Sequence, residues 1–259
     1  MRLLAVGDVC SICGCEEIRK RLPSFKRDNN IDVVIINGEN SAEGNGISSY
    51  SAAYLFACGA DIITGGNHSL RRKEIYSVLD SNEFLLRPHN LPDVQYGSGY
   101  CCADFGSFSL AVINLSGTIY LEKLNASNPF LCADELVERA KNDGADVIVV
   151  DFHAEATSEK RALGLYLDGK VSAFFGTHTH VQTADEQILD NGTGYITDIG
   201  MTGPKNSVLG VKSDIIINRL KNNDLSRFEA ADGECIFNAC IFDIDTKTGR
   251  TNDIKRIFI

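Results

Sequence analysis

The chain alternates between solid apolar runs and segments whose apolar residues recur at helical spacing. RLLAV (2–6), DVVIIN (32–37), DIIT (61–64), DVIVVD (146–151) and KVSAFFG (170–176) are short and rich in β-branched residues. Apolar runs without polar alternation mark strands buried on both faces. EEIRKRLPSFKRD, SSYSAAYLFACGA, KEIYSVLDSN and ADELVERAKNDGA read as helices; Pro23 is expected to interrupt the first and Gly59 to close the second. Strands separated by helices predict a parallel sheet with right-handed crossovers. SGYCCADFGSFSLAVINL reads as a hairpin turning at Gly106 and Ser107. Beyond residue 190 come shorter β runs, GTGYITDIG, ECIFNACIFDID and TNDIKRIFI, the last two hairpin-like around TKTGR. No repeat or Pro/Gly/Ser-rich linker divides the chain, so one α/β domain over residues 1–259 is expected, with a parallel sheet and a second, more antiparallel one.

The residues just after the strands carry the chemistry. RLLAV is followed by GDV with Asp8, and DVVIIN by GEN with Glu39 and Asn40. DIIT is followed by GGNH with Asn67 and His68, DVIVVD by FHAE with His153, and KVSAFFG by THTH with His178 and His180. In open α/β sheets the carboxyl ends of the strands share one edge, where ligands bind. Four of the five histidines fall there; His89, in RPHNLP, does not. Taken singly, each has an ordinary reading: a helix cap, a turn, a satisfied core histidine. Five strand ends together do not. In an extended segment residues two apart point the same way, so both rings of THTH are expected to face one centre.

Carboxylates, amide oxygens and imidazoles form a mixed oxygen and nitrogen donor set. Lacking thiolate, it is not a structural zinc site. Seven or eight candidates exceed one tetrahedral sphere and suit two adjacent divalent ions bridged by a carboxylate. Iron or manganese fits first, with zinc or magnesium as alternatives.

A net charge of −10 argues against duplex nucleic acid as a partner. A small anionic substrate is compatible if a cation supplies the attraction. The N-terminus lacks a signal-peptide pattern, and no apolar stretch approaches the roughly 18–20 residues of a membrane helix. The nine cysteines are therefore expected as reduced thiols in a cytoplasm. CSICGC (10–15) offers a thiol redox or metal-sensing alternative, but that reading explains none of the strand-end residues. An amidohydrolase-type hydrolase also uses HxH, but early in its fold, whereas here the pair comes last in the chain. The sequence leaves a homo-oligomer open.

The order GD, GEN, GNH, H and GTHTH resembles that of the calcineurin-like metallophosphoesterases. GEN at 38–40, GTHTHVQTAD at 176–185 and YITDIGMTGP at 195–204 resemble the YmdB-like branch. The resemblance spans the chain. It implies a four-layer αββα sandwich of two mixed sheets flanked by helices, a dinuclear metal centre, and hydrolysis of small phosphodiesters, 2′,3′-cyclic nucleotides above all. It implies Asp8, Glu39, Asn40 and His180 around one ion and Glu39, Asn67, His153 and His178 around the other, with Glu39 bridging. His68 would assist the leaving group as a hydroxide between the ions attacks phosphorus. Asp151 and Glu155 flank His153 and are candidates to orient it. A metal-dependent phosphomonoesterase, or a regulator that retains the site, is the alternative. The chain departs from the branch at CSICGC, where a glycine-containing GxxG stretch is usual, and at SLRR after GNH, where Trp-Asp is common. Cys10 stands where most metallophosphoesterases have a histidine ligand and is on the side of Asp8 if the segment is extended.

Overall fold

The computed structural model describes residues 1–92 and 95–259. Its first sheet runs, edge to edge, Arg250–Phe258, Asn238–Asp245, Arg2–Val6, Val33–Asn37 and Ile62–Thr64. Its second runs Tyr100–Asp104, Ser109–Ser116, Val147–His153, Ala173–Thr177, Gly194–Ile196 and Gln187–Ile188. Cys235–Ile236, Met201–Pro204 and Asp8–Val9 form a third, small ribbon just beyond the end of Arg2–Val6.

Strand alternation builds the layers. Leu3, Ala5, Val33, Ile35 and Ile62 point to the second sheet and pack with Val112, Val147, Val149, Phe175 and Phe242. The alternate residues Leu4, Val6, Val34 and Ile36 point outward and meet Ile18 and Leu22 of helix Ser11–Asp28 and Ala52 and Leu55 of helix Ser49–Ala57. On the far side Ala111, Ile113, Ile148, Val150 and Phe174 meet Ala133, Leu136, Val137 and Ala140 of helix Pro129–Asn142 and Leu163 of helix Thr157–Tyr166. Every apolar run is covered on both faces, and the result is a four-layer αββα sandwich. Local chemistry starts the helices: Ser48 and Ser51 form a reciprocal capping box, and Asn128 caps a helix whose first residue is Pro129.

Three expectations change. The five strands with functional ends do not share one parallel sheet. Arg2–Val6, Val33–Asn37 and Ile62–Thr64 are parallel neighbours in the first, while Val147–His153 and Ala173–Thr177 are parallel neighbours in the second. The C-terminal hairpin joins the first sheet instead, pairing antiparallel with Arg2–Val6. Both sheets are thus mixed. Pro23 does not interrupt its helix, which continues from Ser11 to Asp28. Pro23 is exposed, so the carbonyl it deprives of a donor can turn to water.

Candidate metal centre

Register aligns the strand ends. Within the second sheet His153 pairs with Thr177 and with Ser116, and within the first Asn37 pairs with Thr64. The residues that follow meet between the sheets. His153 Nε2 lies 3.0 Å from His178 Nδ1 and 3.3 Å from Glu39 Oε1. Asn67 Oδ1 stands 2.9 Å from that His153 nitrogen and 3.1 Å from that His178 nitrogen. Two ring nitrogens, a carboxylate and an amide oxygen thus aim at one point. Burial and His153 hold the His178 imidazole down to about 3, so its lone pair is free at neutral pH.

A second group adjoins the first. His180 Nε2 faces the Asn40 side-chain NH2 at 3.2 Å and Asp8 Oδ1 at 3.8 Å, while Asn40 Oδ1 is turned to His68 Nδ1 at 3.1 Å. Asn40 also donates to Glu39 Oε1 at 2.8 Å, which places the Glu39 carboxylate between the groups. Burial pushes Glu39 up, but His153 and His68 outweigh it and hold the carboxyl well below its usual range. Asp8 is fully buried; its Oδ2 accepts the His178 backbone N–H at 3.1 Å, and its Oδ1 has no hydrogen-bond partner. A buried carboxylate oxygen left bare costs several kcal/mol unless something positive meets it. A cation between Asp8 and His180 would, so these donors fit a metal. Gly66 makes the approach possible: a Cβ there would stand 2.3 Å from both Glu39 Oε2 and His153 Nε2.

The structure brings together Asp8, Glu39, Asn40, Asn67, His68, His153, His178 and His180. It corrects the expectation for THTH. The segment is a turn, with His178 at φ 99° and His180 at φ 63°, so the rings face different groups rather than one centre. Such conformations cost on the order of 1–3 kcal/mol each and persist only where the surroundings over-determine them. Here the Asp198 carboxylate accepts the Thr179 N–H at 3.2 Å and its hydroxyl at 2.8 Å, between the two histidines.

The flanking carboxylates also act differently than expected. Asp151 reaches His153 through Thr177 rather than by a direct hydrogen bond. His153 Nδ1 meets Thr177 Oγ1 at 2.9 Å, and that hydroxyl donates to Asp151 Oδ1 at 2.7 Å. Glu155 pairs with His178 Nε2 at 2.9 Å instead. Each imidazole proposed to bind through one nitrogen thus has its other nitrogen held.

Lys160 and Asp198 escaped sequence reasoning. Their ion pair, 2.6 Å long, is completely buried, and it fixes the carboxylate that holds the THTH turn. Asp198 carried a signal, since it follows the strand Gly194–Ile196 in the YITDIG stretch. Lys160 carried none, being one charged residue in a polar helix start. Lys160→Met is expected to cost about 3–5 kcal/mol, because it strands a buried charge. Equilibrium denaturation checks this; a loss below about 1 kcal/mol would mean that Asp198 is compensated otherwise.

The cysteines need a correction. Cys13 and Cys235 form a disulfide across 222 residues, so they are not reduced thiols. That bond uses one sulfur of CSICGC in a long-range link, not in a Cys10–Cys13 redox pair. Burial pushes the neighbouring Cys15 thiol up to about 12, which makes it a poor nucleophile. Cys10 does reach the centre, with Sγ 3.6 Å from His180 Nδ1. Among the described residues no helix is long and apolar enough to cross a membrane.

The family model of YmdB-like proteins matches residues 4–257. The chain belongs to the YmdB-like family. The 2′,3′-cyclic-nucleotide 2′-phosphodiesterase of Bacillus subtilis (strain 168) is 45% identical over 259 residues, covering 100% of this YmdB-like chain and 97% of the relative. A crystal structure described as a novel phosphatase from Mycoplasma pneumoniae superposes with a TM-score of 0.94 at 33% identity, covering 100% of this chain and 93% of that one. A hypothetical protein from Thermus thermophilus superposes with a TM-score of 0.92 at 37% identity, with 100% and 99% covered.

Proposed function

We propose that this YmdB-like protein is a metal-dependent phosphodiesterase that hydrolyses small phosphodiesters, 2′,3′-cyclic nucleotides foremost, working as one domain in the cytoplasm. The observation that carries the reading is the convergence of Glu39, Asn67, His153 and His178 beside a buried Asp8 oxygen with no hydrogen-bond partner. The names of the Bacillus and Mycoplasma relatives support phosphoester hydrolysis as its chemistry.

Asp8, Glu39, Asn40 and His180 would hold one divalent ion, iron or manganese first, and Glu39, Asn67, His153 and His178 the other. Bound there, the ions supply Lewis-acid activation of a water and of the phosphoryl group. The protein's own residues do the rest. Thr177 with Asp151, and Glu155, fix the His153 and His178 rings. His68 turns Nδ1 to Glu39 Oε1 at 3.2 Å and Asn40 Oδ1 at 3.1 Å, which leaves Nε2 for the substrate. Its side chain is 26% exposed, open enough to meet a ligand while its backbone N–H is held by Glu39 Oε2 at 3.0 Å. From there it can hand a proton to the leaving ribose oxygen.

Chelator-treated protein should regain hydrolysis when Mn²⁺ or Fe²⁺ is returned, with two ions per chain by elemental analysis. It should open 2′,3′-cyclic nucleotides faster than it cleaves a phosphomonoester. One ion or none under excess metal would overturn the dinuclear reading; a monoester preference would make the protein a phosphomonoesterase.

A further inference from the structure

Asn37, the buried last residue of the strand Val33–Asn37, plays no part in the reading above. We propose that Asn37 is a positioning residue for one ion, the one assigned to Glu39, Asn67, His153 and His178, and that its side chain fixes all four of those donors at once. The proposal rests on the two-ion reading.

Asn37 Nδ2 lies 3.2 Å from the Gly65 carbonyl oxygen, 3.0 Å from Asp151 Oδ2 and 3.3 Å from Thr177 Oγ1. Asn37 Oδ1 accepts the Glu39 backbone N–H at 3.2 Å. Gly65 stands two positions before Asn67, Asp151 two before His153, and Thr177 one before His178. One amide therefore reaches the backbone of Glu39 and a close chain neighbour of each other donor on that side. It also ties the first sheet to Asp151 and Thr177 of the second. Asp8 and His180, on the side of the other ion, are oriented by different groups. The His178 N–H meets Asp8 at 3.1 Å, and the Leu209 carbonyl meets the His180 ring at 3.1 Å.

The neighbours allow the amide one orientation. A carbonyl and a carboxylate only accept, and a backbone N–H only donates. A flipped amide would set its oxygen against Gly65 and Asp151 and its NH2 against the Glu39 N–H. Asn37, Asp151 and Thr177 are all fully buried, so water is not at hand to replace a lost bond.

The same contacts settle the His153 ring. The Thr177 hydroxyl gives its one proton to Asp151 Oδ1 and takes a hydrogen from Asn37 Nδ2 on a lone pair. It can meet His153 Nδ1 only with its other lone pair, so Nδ1 carries the ring proton. The free lone pair is then on Nε2, which faces Glu39 and Asn67.

Equilibrium dialysis of the full chain against Mn²⁺ tests this, and the parent should show two dissociation constants. Asn37→Leu, which keeps the volume and removes the amide, should raise one of them about 10–100-fold and leave the other close to the parent's. His180→Ala should raise the other one, so the double variant should bind both ions weakly. Thr193→Val provides the comparison, because it removes an equally buried hydroxyl bonded to the Val171 carbonyl. It should lower the melting temperature of the metal-free protein and leave both constants unchanged, as a merely structural Asn37 would also do. Asn37→Ser, short enough to admit water, should repeat the effect of Asn37→Leu, with circular dichroism showing which variants fold. Unchanged constants in the Asn37 variants, failure of both to fold, or a double variant no weaker than His180→Ala would overturn the proposal and leave the dinuclear reading standing. Fewer than two Mn²⁺ ions bound by the parent would overturn both.

Discussion

Glu39→Ala is expected to lose both metal ions and nearly all turnover while the fold survives. The Glu39 carboxylate lies between the groups, reaching His153 at 3.3 Å on one side and the Asn40 amide at 2.8 Å on the other. On the proposed two-ion mechanism each ion would contribute several kcal/mol of transition-state stabilisation. At about 1.36 kcal/mol per factor of ten, losing both lowers the rate on the order of 10⁴–10⁶-fold. His180→Ala, which touches one group, should weaken one ion and leave the other in place. Elemental analysis of the two variants, read beside their rates, decides the matter. If Glu39→Ala retains two ions, Glu39 does not bridge them.

His68→Ala should do the reverse, keeping both ions while turnover of a 2′,3′-cyclic nucleotide falls about 10²–10⁴-fold. Removing the ring takes away the proton for the leaving oxygen but none of the donors around Asn67, His153 and His178. The loss should shrink for a nitrophenyl phosphodiester, whose leaving group departs without a proton. Metal loss in this variant would make His68 a ligand. An unchanged rate on the cyclic nucleotide would make it a bystander.

The strand ends could be found in the sequence because burial on both faces writes itself as unbroken apolar runs, and the polar residues that end them stand out. RLLAV before Asp8 and AFFG before THTH show this. The hairpin around Gly106 was equally plain, since that residue needs a positive φ, 80° in the structure. What the pattern could not tell was which runs share a sheet. That depends on the C-terminal strand Asn238–Asp245 pairing with Arg2–Val6, a contact between chain ends that leaves no local trace. The THTH turn was misread for a similar reason. Its left-handed histidines are held by Asp198 and Asp8, far off in sequence, and nothing within the four residues announces it. The Cys13–Cys235 link and the Lys160–Asp198 pair are hidden likewise, because each is half of a partnership completed elsewhere.

The split of the strand ends between two sheets gives the centre a further meaning. Asp8, Glu39 and Asn67 follow strands of the first sheet, and His153, His178 and His180 belong to strand ends of the second. Asp8 and His178 touch across 170 residues of chain. Neither half offers a complete coordination sphere, and an unfolded chain offers no preformed one, so ions that bind only here draw the equilibrium toward the folded form by mass action. With metal, the centre would be a clasp that can shut only after both sheets have come together, and a bound ion would record that the whole topology, from first strand to last, is in place.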